Sequence, residues 1–375
     1  MTSQHTSEFD KRQTWRPHIQ KAETKARRKL AILRKLAGTT WDTSEKILKT
    51  VYEGTVRPHL EYASPAWAAT AKTNQQVLDK VQNQALRLIT GAMRSTPIKT
   101  MEQLTGIQPL STRRDTKTLV QAEKYKCLPH HPMHSRLEKP TRSRLKRSSF
   151  LHQSHSLRRQ HLNHLPAHTV PWDPASLPRP WQADLRELEI HTTVKYLTAR
   201  GTQSDTSKKA LTKAMVEDCY PEEAWIHVYT DGSAKNATTD GGAGVLVQFP
   251  SGDTETANIP TGTHCTNYHA EVQALNKAAN MVHNSDNECQ QVVFLTDALS
   301  VLQALTAGKE TELQQELQLV ARSRRVALQW IPSHCGIPGN EKADELAKQG
   351  AQQKQFETCL SFEEKKTIIK TGTRT

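Results

Sequence analysis

The stretch VYTDGSAKN, residues 228–236, and the residues just before it decide the fold class. Ile226, Val228 and Thr230 alternate with His227 and Tyr229, which predicts a short strand ended by Asp231. Asp231–Gly232 also has an ordinary meaning as a turn, because both residue types tolerate positive φ. Working outward, GAGVLVQF (242–249) and TETANIP (254–260) predict two further strands. A helix follows over 267–283, then a buried strand over 290–296. Helices over 298–307 and 311–322, a strand over 326–332 and a helix over 340–352 complete the series. Three strands followed by α/β alternation predict a mixed five-stranded sheet flanked by helices.

Four acids fall at informative places in this pattern. Asp231 and Asp297 each end a predicted strand, and two such acids stand side by side at the carboxyl edge of an α/β sheet. Glu271 lies at the edge of the Ala270, Ala274, Leu275 and Ala278 packing stripe, where a helix resting on that sheet brings it to the same spot. Asp344 lies in the first turn of the last predicted helix. Each acid has a plain alternative: a surface acid for Glu271, a helix cap for Asp297, a partner of the helix dipole for Asp344. Four carboxylates in one place repel unless cations neutralise them, and oxygen-only ligands suit Mg²⁺ or Mn²⁺. Two such ions are the usual apparatus of in-line phosphodiester displacement.

The segments YTDGS, NYHAE, LTDALSVLQAL and WIPSHCGIPGNEKADELAK, in that order and at that spacing, resemble the type 1 ribonuclease H family over about 225–352. The last segment is most similar to the version in non-LTR, LINE-like retrotransposons of the jockey type. The resemblance implies a ribonuclease H-like fold and an endonuclease that cuts the RNA strand of an RNA–DNA hybrid, leaving 5′-phosphate and 3′-hydroxyl ends. It implies that Asp231, Glu271, Asp297 and Asp344 bind two Mg²⁺ or Mn²⁺ ions. It implies that His334, in the Ser333–Gly339 loop, assists proton transfer or product release, and that Gly232 and Ser233 let the backbone approach the RNA strand. Asn340, grouped with these substrate-side residues, reads most simply as the cap of the last helix. Ala298 departs from the serine that many relatives carry after the third acid, which touches a substrate contact and no metal ligand.

Charge divides the 375-residue chain, whose formal net charge is +13. Residues 226–352 hold 8 Lys and Arg against 14 Asp and Glu, a net of −6, which leaves +19 on the remainder. An acidic catalytic module joined to a basic part that grips nucleic acid is the expectation. Val77, Leu78, Val81, Ala85, Leu88 and Ile89 recur at helical spacing, EKILKTVYEGTVRPHLEYASPAW (45–67) predicts a helix interrupted near Arg57–Pro58, and 110–126 predicts another. ILRKLAGTTW, VYEGTVRPHLEYASPAW and VLDKVQNQALRLITGA resemble the thumb-like segment after the polymerase palm of the same retrotransposon family. No Asp-Asp pair occurs, so a fragment of a retrotransposon polyprotein is expected, with the palm absent. An intact reverse transcriptase acting in trans is then an expected partner.

The expected organisation is a disordered N-terminus (1–20), a basic helical thumb-like bundle (21–126), a His/Pro/Arg-rich disordered linker (127–220), a ribonuclease H domain (221–352) and a tail (353–375). Cys127, His130, His131 and His134 lack the second cysteine pair of a zinc site. Without an apolar run near 18 residues or a signal peptide, the expectation is an intracellular protein with no membrane partner. The competing function is a catalytically inactive retroelement remnant that binds nucleic acid. A related exonuclease or integrase-like enzyme fits less well because of SHCGIPGNEKAD (333–344).

Overall fold

The computed structural model describes residues 11, 14–38, 43–139, 149–162, 165, 170, 188–197 and 203–373. They fall into two compact units: residues up to Leu165 together with those from Ile369 onward, and the stretch between. The N-terminal residues 1–10, and the stretches 140–148 and 171–187 of the expected linker, lie outside the described residues.

The first unit is helical. Its elements are α1 (Arg16–Leu36), α2 (Glu45–Val51), a π-helical turn (Tyr52–Val56), α3 (Arg57–Glu61), α4 (Ser64–Trp67), α5 (Lys72–Thr90), α6 (Ile98–Thr105), α7 (Leu110–Lys126), α8 (His134–Glu138) and α9 (Phe150–His161). Ile19, Ala26, Leu30 and Leu33 of α1 share one face and pack in one core with Leu78, Val81, Ala85 and Leu86 of α5. The predicted interruption at Pro58 takes the form of the π turn. A proline ring clashes with the carbonyl four residues back, here Gly54, and widening that turn relieves the clash. Glu61 is buried, yet Arg113 and Lys117 outweigh the cost of burial and hold its carboxyl below the usual range. Cys127 is buried with its Sγ on the Glu123 carbonyl, His131 stacks on Tyr125, and His134 faces Glu138 at 3.3 Å. Among the described residues these side chains do not converge on a zinc site.

The second unit holds β1 (Leu188–His191), α10 (Asp205–Cys219), β2 (Ile226–Lys235), β3 (Thr239–Gln248), β4 (Thr254–Gly262), α11 (Asn267–His283), β5 (Gln291–Thr296), α12 (Leu299–Thr306), α13 (Thr311–Ala321), β6 (Arg325–Trp330) and α14 (Pro338–Gln352). A last helix, α15, spans Phe362–Gly372. The sheet has six strands, not five, in the order β1-β6-β5-β2-β3-β4. The extra strand, LEIH, comes from the stretch expected to be linker, and it pairs in parallel with β6, placing Leu188 opposite Val326. Four residues are too short for a periodic signal, and the ladder bonds to β6 define the strand. α8, α9 and α10 also lie within 127–220.

Both sheet faces are covered, so β2 is buried on either side and its polar/apolar alternation is incomplete. Ile226, Val228, Val245, Val292 and Phe294 pack with Val272, Leu275 and Val282 of α11 and with α12 and α13. On the other face Tyr229, Leu246, Val293, Leu295 and Ala327 pack against Ala343 and Leu346 of α14 and Met215 and Val216 of α10. Arg324, just before β6, ties the end of α11 to the loop that follows. Its guanidinium donates to the carbonyls of Val282 (3.1 Å), Asn287 (2.7 Å) and Cys289 (3.1 Å). Arg324→Ala is expected to cost about 2–3 kcal/mol, read by denaturant unfolding, and Arg324→Lys to recover little of it, because one ammonium cannot span three divergent carbonyls. Among the described residues no helix is long and apolar enough to cross a membrane.

Candidate active site

Asp231 does not end its strand, and Asp231–Gly232 is not a turn. β2 continues to Lys235, and the chain turns afterwards, through Asn236 and Ala237 at φ 52° and 62°. What ends at Thr230 is the parallel pairing with β5, whose last partner is Thr296. Beyond it β2 pairs only with β3, Asp231 standing opposite Gly244. Asp231 therefore sits where β2 and β5 part, at the carboxyl edge, and Asp297 follows Thr296 at the same level.

Asp231, Glu271 and Asp297 converge, each offering a carboxylate oxygen within 4.8 Å of the others. Asp231 is buried and accepts from the Gly232 N–H at 2.8 Å. Burial raises its carboxyl, the charges of Asp297 and Asp344 raise it further, and it is pushed up to about 7. Glu271 is raised well above the carboxylate range by burial and by the charges of Asp231 and Asp297, and its Oε2 is buried with no hydrogen-bond partner. Asp297 is raised by burial too, opposed by a hydrogen bond from Asn340 and by the charge of His334. Asp297 does not cap α12; Ala298 holds that position, which leaves the carboxylate facing the cluster.

Helix α14 starts at Pro338, two residues before its expected start, so Asp344 lies in its second turn, and Glu341 is the acid of the first turn. Asp344, His334 and Glu341 form a neighbouring group with ligand atoms within 4.8 Å of one another. Asp344 also pairs with Lys348 at 2.6 Å. His334 stands at φ 48° on the loop after β6. Asn340 does not cap α14. Ile337 is at the cap position, and Asn340 is buried in the first turn with its side chain bonded to Asp297. Asn340→Ala is expected to lower the rate of any reaction that uses Asp297 about tenfold while the far-UV spectrum stays unchanged, because it removes the group that orients that carboxylate.

Gly232 has a packing role. A Cβ there would lie 2.3 Å from the Glu271 backbone N and 2.6 Å from the Ala270 carbonyl carbon. The missing side chain lets α11 descend onto β2 until Glu271 reaches Asp231. Ser233 follows on β2, half-buried. Glu341 and Lys348 were not among the residues picked out from the sequence. Lys348 was open to detection as the i+4 partner of Asp344, whereas the contact of Asn340 with Asp297 is purely tertiary.

The donors are hard oxygens, they are mutually repulsive, and one buried oxygen lacks a partner. A divalent cation of the Mg²⁺ or Mn²⁺ type fits that set. Residues 223–352 match the RNase H family model. Among solved structures, RNase H1 from Halobacterium salinarum is similar at 18% identity, over 34% of this chain and 96% of that chain, with a TM-score of 0.29. The N-terminal RNase H domain of a Mycobacterium tuberculosis protein, solved as a fusion with maltose binding protein, is similar at 19% identity, over 34% and 94%, with a TM-score of 0.29. Residues 223–352 form an RNase H domain.

Proposed function

We propose that this protein hydrolyses the RNA strand of RNA–DNA hybrids, producing 5′-phosphate and 3′-hydroxyl ends. The observation that carries this is the convergence of buried Asp231 with half-buried Glu271 and Asp297 at one sheet edge, with Asp344 close enough to repel Asp231. Two Mg²⁺ or Mn²⁺ ions held by these four carboxylates would activate the attacking water and neutralise charge at the leaving oxygen. The chain's own residues prepare the site. The Gly232 N–H and the Asn340 side chain orient Asp231 and Asp297. His334, on an exposed loop beside Asp344, assists proton transfer or product release. The +19 carried outside residues 226–352 holds the phosphate backbone.

The thumb-like resemblance of the helical unit supports a retrotransposon origin, with a reverse transcriptase in trans generating the hybrid. The test is cleavage of an end-labelled hybrid by the full chain with Mg²⁺ or Mn²⁺, set against duplex DNA and single-stranded RNA. RNA-strand cuts confined to the hybrid support the proposal. Hybrid binding without cleavage identifies the inactive remnant, and cleavage of duplex DNA an exonuclease or integrase-like enzyme.

A further inference from the structure

Two elements of the second unit lie before the RNase H domain, and both reach its carboxyl edge. β1 runs parallel to β6, so the residues that follow His191 emerge at the same edge as Asp231 and Asp297. The Gln329 side chain of β6 fixes them there by donating to the Thr193 carbonyl at 3.1 Å. The segment closes in a turn, with the Leu197 N–H on the Val194 carbonyl, and at its tip stands Tyr196. Tyr196 is 74% exposed, the most exposed large hydrophobic side chain among the described residues of this unit. Its φ is 64°, a strained conformation for a bulky residue, and the Lys195 amine lies 5.3 Å from its ring centroid.

The second element is α10, anchored under the sheet by Met215 and Val216. It lays the Lys209 side chain along Gly336, with the amine 3.5 Å from where a Cβ would stand, two residues from His334. Lys208, one residue earlier, is tied to Asp205 at 2.7 Å. Lys209 is exposed, and among the described residues no carboxylate lies within ion-pair distance of it. An open aromatic face and unneutralised amines flanking an acidic cleft match the requirements of a polynucleotide: stacking for a base, cations for phosphates.

We propose that Tyr196, Lys195 and Lys209 form a nucleic-acid contact that extends the substrate footprint beyond the RNase H domain. This rests on the hybrid-cleavage proposal for the choice of substrate. β1 lies three strand spacings from β2, about 14 Å, or about four base steps along a strand. The contact therefore grips the hybrid to one side of the cut.

The test uses the full chain in EDTA, so that nothing is cleaved, with a fluorescent 24-base-pair hybrid. The Tyr196→Ala/Lys209→Ala variant is expected to bind about tenfold more weakly, and its log Kd against log salt to be shallower by about one. Its footprint should be shorter by about four base pairs on one side. Lys213→Ala removes a charge from the same helix at a residue that faces Glu217 and serves as the control. If the double variant matches Lys213→Ala in affinity, slope and footprint, the contact does not exist. Cleavage by wild type, measured separately with Mg²⁺, decides the activity. A chain that never cuts overturns the proposed function, and the footprint still decides the contact.

Discussion

Asp231→Asn is expected to abolish hybrid cleavage, by roughly a thousandfold or more, and at the same time to stabilise the metal-free protein. The two effects have one cause. Asp231 is buried against Glu271 and Asp297, with Asp344 nearby, so its ionised form is unfavourable without a cation. Its carboxyl is pushed up to about 7 in the fold, against about 3.9 in an unfolded chain. The folded state therefore binds the proton more tightly than the unfolded one. The stability this confers is complete below about pH 4 and is lost as pH rises through about 7. Metal-free wild type should lose about 2 kcal/mol or more between pH 5 and pH 8, seen as a falling thermal midpoint, with Glu271 acting in the same direction. The asparagine variant should flatten that slope, and millimolar Mg²⁺ at pH 8 should raise the midpoint of wild type but not of the variant. A pH profile identical in both proteins would remove the repulsion, and the cation-site reading with it.

Gly232→Ala should be nearly as damaging, through backbone packing. The added methyl would meet backbone atoms of Ala270 and Glu271 at 2.3–2.8 Å, and a helix backbone cannot yield as a flexible side chain does. We expect a loss of about 2–4 kcal/mol in denaturant unfolding and a fall in cleavage of more than a hundredfold, since α11 must lift and carry Glu271 away from Asp231. If Gly232 acts only by letting the RNA strand approach, the variant keeps wild-type stability and shows a raised KM alone. The same device recurs where α14 crosses β3: a Cβ on Gly244 would lie 2.1 Å from the Ala343 carbonyl oxygen, so this glycine holds the helix that bears Asp344 against the sheet.

What the sequence by itself determined is the order and type of the elements of the RNase H domain. Helix 267–283 and helix 110–126 match their predicted bounds, because long amphipathic runs bury one face whatever their partner. The four acids stand out in the sequence because each falls at the end or edge of a predicted element, although the structure places Asp231 inside β2 and Asp344 in the second turn of α14. Only the tertiary structure decided which partners those acids meet. Asp-Gly at 231–232 favours a turn locally, but pairing with β3 on one side and the close approach of α11 on the other keep the chain extended through it. Asn340 at the start of a helix has the chemistry of a cap, yet the helix begins earlier at Pro338, and the buried amide faces Asp297 instead. The strand LEIH and the placement of Lys209 beside Gly336 depend on β6 and its loop, partners more than a hundred residues away. Local propensity carries no information about contacts at that separation, and the long-range pairs that create an edge strand or an active-site neighbour exist only once the sheet has formed.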